Sequence, residues 1–210
     1  AAVVVARVGT SACQAYELRE RIRPAGKRID DRRELFEQVE AHRRSGRRIV
    51  FTNGCFDILH RGHVSYLSRA KARGDVLIVA VNSDAGIRRL KGPERPINDL
   101  EDRLQVLSAL SCVDHVVPFE DETPHALIRI VRPDVFVKGG DYTRERLSEA
   151  PLVEELGGVV EIMPFLAERS TTGIITKIRR GRECGDGLAA GVDGVAATLS
   201  GVPQADGASS

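Results

Sequence analysis

Tryptophan is absent from this chain of 210 residues, and six Phe and three Tyr make up its whole aromatic complement. Proteins that hold nucleic acid stack bases on aromatic rings along a basic groove. Aromatics are few, and 31 Lys and Arg almost cancel 30 Asp and Glu to a formal charge of +1, which leaves no global basic footprint. Basic residues do gather between Arg19 and Arg48, but Glu20, Asp30, Asp31, Glu34, Glu37 and Glu40 interleave with them, which is the pattern of a solvated helix face. No nucleic-acid partner is expected.

Cysteine is scarce too. Positions 13, 55, 112 and 184 form no CxxC and no Cys/His ligand spacing, which argues against a zinc site and a disulfide framework and for reduced thiols in a cytoplasmic protein. Cys55 reads as a small packing residue. No run approaches the roughly eighteen apolar residues that span a membrane, and Ala1 to Ala6 is too short for a signal-peptide core. No membrane partner and no internal repeat are expected.

What is present is an alternation. Apolar runs at 47–52, 75–82, 114–119, 134–138 and 158–163 read as strands, and helical spacing falls near 63–73, 84–90, 99–111, 123–131, 144–156 and 171–180. Near-continuous apolar strands separated by helices predict an α/β fold, a Rossmann-like doubly wound parallel sheet of about five strands. Such sheets bind ligands beyond the C-terminal strand ends, where the strand order reverses. A helix with Leu35, Val39 and His42 on one side is expected over 32–45, ahead of the first strand.

The loop leaving that strand, Phe51-Thr-Asn-Gly-Cys-Phe-Asp-Ile-Leu-His60-Arg-Gly-His63, carries the chemistry. It places two histidines at a helix start, where unpaired N–H groups and the helix dipole favour an anion. Gly62 between them would allow close approach to a phosphate or a positive φ. The imidazoles would face the same anion.

This segment resembles the signature of the nucleotidyltransferases that include the cytidylyltransferases, and most closely the adenylyltransferase domains that make ADP-heptose from heptose 1-phosphate. The resemblance covers about residues 33–180 and extends to Val81-Asn-Ser-Asp84, Lys91, Arg95-Pro-Ile-Asn98, Arg103, Val137-Lys-Gly-Gly-Asp-Tyr142 and Ser170-Thr-Thr172. It implies attack of a sugar 1-phosphate oxygen on the α-phosphorus of ATP, with pyrophosphate leaving and Mg²⁺ accompanying the nucleotide. His60, His63, Lys91 and Arg103 would then stabilise the transferring phosphate. Thr52, Asn53, Gly54, Phe56, Gly62, Asp141, Ser170, Thr171 and Thr172 would bind nucleotide, and Asp57, Lys138 and Tyr142 the acceptor. Asp57 also suits a loop-ordering role, and Asp84 would cap the helix after the second strand.

Two alternatives stay open. A cytidylyltransferase acting on glycerol 3-phosphate shares the His-x-Gly-His and Ser-Thr-Thr motifs, and a non-catalytic nucleotide-binding regulatory module is a different class, against which the intact His60, Gly62 and His63 argue. Residues 1–24 resemble the tail of a sugar kinase domain, and the chain has no initiator Met. The expectation is a kinase fusion partner, a linker and leading helix over 25–46, a transferase domain over 47–180 and, with seven glycines in its thirty residues, a disordered tail over 181–210. A homodimer fits the same reading.

Overall fold

A computed structural model of the chain describes residues 26–140, 143–164, 171, 173–176 and 178. In chain order the elements are α1 (Arg32–Arg44), β1 (Ile49–Gly54), α2 (Arg61–Lys71), β2 (Val76–Asn82), α3 (Asp84–Lys91), α4 (Leu100–Ser108), β3 (His115–Phe119), α5 (His125–Val131), β4 (Val135–Gly139), α6 (Ala150–Glu155) and β5 (Val159–Met163). The strands form a sheet of order β3-β2-β1-β4-β5 in which every pairing is parallel. The expected five-stranded doubly wound architecture is thus the observed one.

Strand periodicity explains why both faces are covered. Successive side chains point to opposite faces, so Ile49, Phe51, Ile78, Ala80 and Phe136 enter one core with Leu35 and Val39 of α1, Leu127, Ile128 and Val131 of α5, and Val153 of α6. Their neighbours Val50, Leu77, Val79, Val81, Val135 and Val137 enter the other with Tyr66, Leu67 and Ala70 of α2 and Leu104 and Leu107 of α4.

Element ends depart from the sequence reading in instructive ways. β1 continues through Asn53 and Gly54, which pair with Ala80 and Val81 of β2, because a long central partner strand outweighs the local turn preference of Asn-Gly. α2 starts two residues before the expected position, with His60 as its N-cap. The N-cap of α3 is Ser83, whose hydroxyl accepts from the Gly86 N–H, so Asp84 is the first helical residue rather than the cap. The helix expected over 144–156 is a 3-10 turn, Arg144–Arg146, followed by the short α6. Pro151 dictates the break, since its ring would clash with the Leu147 carbonyl and it has no N–H to donate.

The segment before α1 is more than a linker. Arg28 bridges Val116 in parallel, Ile29 is buried, and Lys27 Nζ donates to the Leu110 carbonyl at 2.7 Å. In the unit that begins at Thr172, residues 173–176 and 178 are helical. The proposed kinase remnant and tail lie outside the described residues.

Candidate active site

His60 is extended, at φ −143° and ψ 171°, and its Nδ1 accepts from the Gly62 N–H at 3.1 Å. That bond fixes the tautomer of the neutral ring, because an accepting Nδ1 leaves the proton on Nε2. Gly62 is buried in the first turn of α2 and is not among the residues of positive φ. The close-approach reading therefore applies to it and the positive-φ reading does not. The His63 ring lies 4.0 Å from that of His60 and 5.6 Å from Phe56, centroid to centroid.

Phe56 takes the strained turn instead, at φ 47°. Its ring folds back over Gly54, where a Cβ would sit 3.1 Å from the nearest ring carbon. Gly54 is thus small because Phe56 lies on it. Burial, followed by the nearby His60 and Lys91 charges, pulls the His63 pKa down to about 4. The ring is neutral at physiological pH in the free protein, and its buried Nδ1 has no hydrogen-bond partner among the described residues.

Two ion pairs hold the loop. Asp57, buried, pairs with Arg95 at 2.5 Å and accepts from the Ile97 N–H at 2.7 Å and the Asn98 N–H at 3.0 Å. Its carboxylate thereby orders the loop between α3 and α4, as its alternative role anticipated. Arg103 is 1% exposed and donates to the carbonyls of Cys55 at 2.7 Å, Asn82 at 2.8 Å and Asn98 at 3.1 Å, and to Asp84 at 2.7 Å. The arginine expected to touch phosphate stands behind the β1 and β2 ends and locks them together.

On the β4 side, Lys138 Nζ donates to Asn53 Oδ1 at 2.9 Å and to Glu149 Oε1 at 2.8 Å. Burial alone would raise the Glu149 pKa, but the charge and hydrogen bond of Lys138 outweigh it and hold the carboxyl below its ordinary value. Thr52 is fully buried, with its hydroxyl 2.7 Å from that of Tyr66, which in turn donates to the Val137 carbonyl at 3.0 Å. It braces the strands beneath the site.

These elements enclose a cavity of about 540 Å³ at the C-terminal ends of β1 and β4, where the strand order reverses. Of the residues singled out in the sequence, Asn53, Gly54, Phe56, Asp57, His63, Lys91, Lys138 and Thr171 line it. Thr52, His60, Gly62 and Arg103 are not in its wall, although His60 stands beside His63 and Gly62 joins the two. Asp141, Tyr142, Ser170 and Thr172 lie outside the described residues. Sequence reasoning missed Tyr66, Glu122, Thr123, Ser148 and Glu149, which also line the cavity. Only the position of 122–124 just after β3 could have signalled any of them; Glu149 belongs to no motif.

Among the described residues no group of three or more His, Cys, Asp or Glu side chains could hold a metal ion. A divalent ion here would accompany a triphosphate and take most of its ligands from phosphate oxygen and water, as Mg²⁺ commonly does.

The cytidylyltransferase-like family profile matches residues 51–180. The chain is 48% identical over 182 residues to the "Bifunctional protein HldE" of Syntrophotalea carbinolica, an alignment covering 85% of this chain and 37% of that protein. It is also 48% identical over 183 residues to the protein of the same name from Hahella chejuensis, covering 86% and 38%. The chain spans little more than a third of the length of these curated relatives. Among solved structures, the lipopolysaccharide core biosynthesis protein from Thermoplasma volcanium is 34% identical, with a TM-score of 0.48 over 58% of this chain and 98% of that one.

Proposed function

The chain belongs to the cytidylyltransferase-like family, and we propose that it transfers AMP from ATP to D-glycero-β-D-manno-heptose 1-phosphate, giving ADP-heptose and pyrophosphate. The observation that carries this reading is the paired imidazoles of His60 and His63 at the N-terminus of α2, beside a cavity at the strand-order reversal. The choice of acceptor rests on the similarity to the bifunctional relatives.

An oxygen of the sugar phosphate attacks the α-phosphorus; the new O–P bond forms as the bond to the β-phosphate breaks, and pyrophosphate leaves with the electron pair. A sugar phosphate is largely dianionic near neutral pH, since its second pKa is about 6. The attacking oxygen therefore needs no general base. What the protein supplies is position and charge neutralisation. His60 offers an Nε2–H fixed by the Gly62 bond, His63 a neutral donor, and Lys91 a cation in the last turn of α3, in the cavity wall. MgATP is the substrate form we propose.

The relatives' name, bifunctional, supports a second activity in those proteins, and the sugar kinase partner suggested by residues 1–24 belongs to the same proposal. The test offers ATP, CTP or GTP with heptose 1-phosphate, mannose 1-phosphate or glycerol 3-phosphate and measures pyrophosphate. Release with ATP and heptose 1-phosphate is expected. Strict use of CTP with glycerol 3-phosphate would replace the substrates and keep the mechanism, while no release with any pair would favour the regulatory module.

A further inference from the structure

We infer that Glu149 is a specificity-determining residue, its carboxylate accepting a hydroxyl of a polyhydroxylated acceptor at the β4 end of the cavity. This inference rests on the reading of the site as a sugar-phosphate transferase. His63 at the start of α2 and Lys91 at the end of α3 border the cavity, while Lys138 in β4 and, beyond β3 and β4, Glu122 and Glu149 stand in its wall. Lys138 there donates to Asn53 and to Glu149. A sugar hydroxyl reaching the remaining face of the Glu149 carboxylate meets an acceptor.

Glu149 is built for that contact. It is 6% exposed, and Lys138 at 2.8 Å holds one carboxylate oxygen while the Ser148 hydroxyl reaches the other at 3.2 Å. A carboxylate offers about four acceptor positions; Lys138, Ser148 and the residue's own backbone N–H occupy three. One further donor can be taken. Lys138 also bonds Asn53 at 2.9 Å, at the end of β1, so the carboxylate is registered against the strand that leads into the His60–His63 loop. Fixing a hydroxyl at Glu149 therefore helps set where the phosphate at the far end of the same sugar lies.

Calorimetry on wild type and Glu149→Gln, with heptose 1-phosphate and separately with a non-hydrolysable ATP analogue, tests the inference. Loss of one charge-assisted hydrogen bond should weaken sugar-phosphate binding about tenfold or more and leave the ATP analogue within about twofold. With a monodeoxy series of heptose 1-phosphates, one member should bind wild type and variant equally, because it lacks the hydroxyl that Glu149 takes. Equal weakening of both ligands, weakening of the nucleotide alone, unchanged sugar binding, or a loss that persists across the whole deoxy series would each overturn the role. Failure of the functional reading has a different signature: wild type itself would bind no sugar 1-phosphate, which would remove the inference with it.

Discussion

His63 combines three facts that belong together: a ring 4.0 Å from a second imidazole, a pKa drawn down to about 4 by burial and then by the neighbouring positive charges, and a place in the cavity wall. A neutral ring avoids repelling Lys91 while the site is empty, and a triphosphate would supply the negative charge that favours its protonation. NMR titration of the His63 ring should give a value near 4 without ligand and a higher one with an ATP analogue bound. No movement on binding would place the ring away from the phosphates. His63→Ala should lower the single-turnover rate about a hundredfold or more, the size of a lost oxyanion donor. A near-normal rate in that variant would remove the assignment.

At the scale of elements, the loop after β1 holds its shape through contacts that no motif announces. Arg103 joins Cys55, Asn82, Asn98 and Asp84. Arg103→Met strands three carbonyls and a carboxylate, so unfolding stability should fall by about 3 kcal/mol or more in denaturant titration. Wild-type stability with lost turnover would instead restore a direct phosphate contact. Gly54→Ala places a Cβ 3.1 Å from the Phe56 ring, and since Phe56 packs on His63, nucleotide affinity should fall at a stability cost of about 1 kcal/mol.

These elements also explain what the sequence could and could not disclose. The strands were legible because Ile49 to Thr52 and Val76 to Asn82 are buried on both faces and so read as unbroken apolar runs. His60 and His63 were legible because a glycine-spaced pair at a helix start has few other uses. Arg103 misled because its sequence neighbours say nothing of three carbonyls converging from 5, 21 and 48 residues away. Glu149 was invisible for the same reason, its meaning coming from Lys138 across a turn. Pro151, by contrast, was a plain signal that the helical spacing over 144–156 overrode.

In the whole molecule, one parallel sheet with two cores brings the β1 loop and the β4 end together at the point where the strand order reverses. Among the described residues no helix is long and apolar enough to cross a membrane. The same packing makes the fold sensitive to acid. His63 and His115 are drawn down to about 4, chiefly by burial, and His42, whose Nε2 lies 2.9 Å from that of His115, is lowered as well. Lys71, Arg47 and Lys27 depress this second pair further, while Asp114 opposes them. Above the ordinary value near 6.5 these rings are neutral in both states, so their packing costs nothing in protonation. As pH falls from about 6.5 to 4 the unfolded chain takes up protons first, and stability is lost across that window. Urea midpoints at pH 7.5, 6 and 5 should fall in order, and His42→Gln with His115→Gln should flatten the decline.

Pyrophosphate release from ATP and D-glycero-β-D-manno-heptose 1-phosphate, followed in wild type and His63→Ala, is the most direct test of the transferase reading. One pyrophosphate per ADP-heptose formed is expected, with no release in the absence of the acceptor and a rate about a hundredfold lower in the variant. Release that needs no sugar phosphate, or that the two proteins share at equal rate, would contradict the reading.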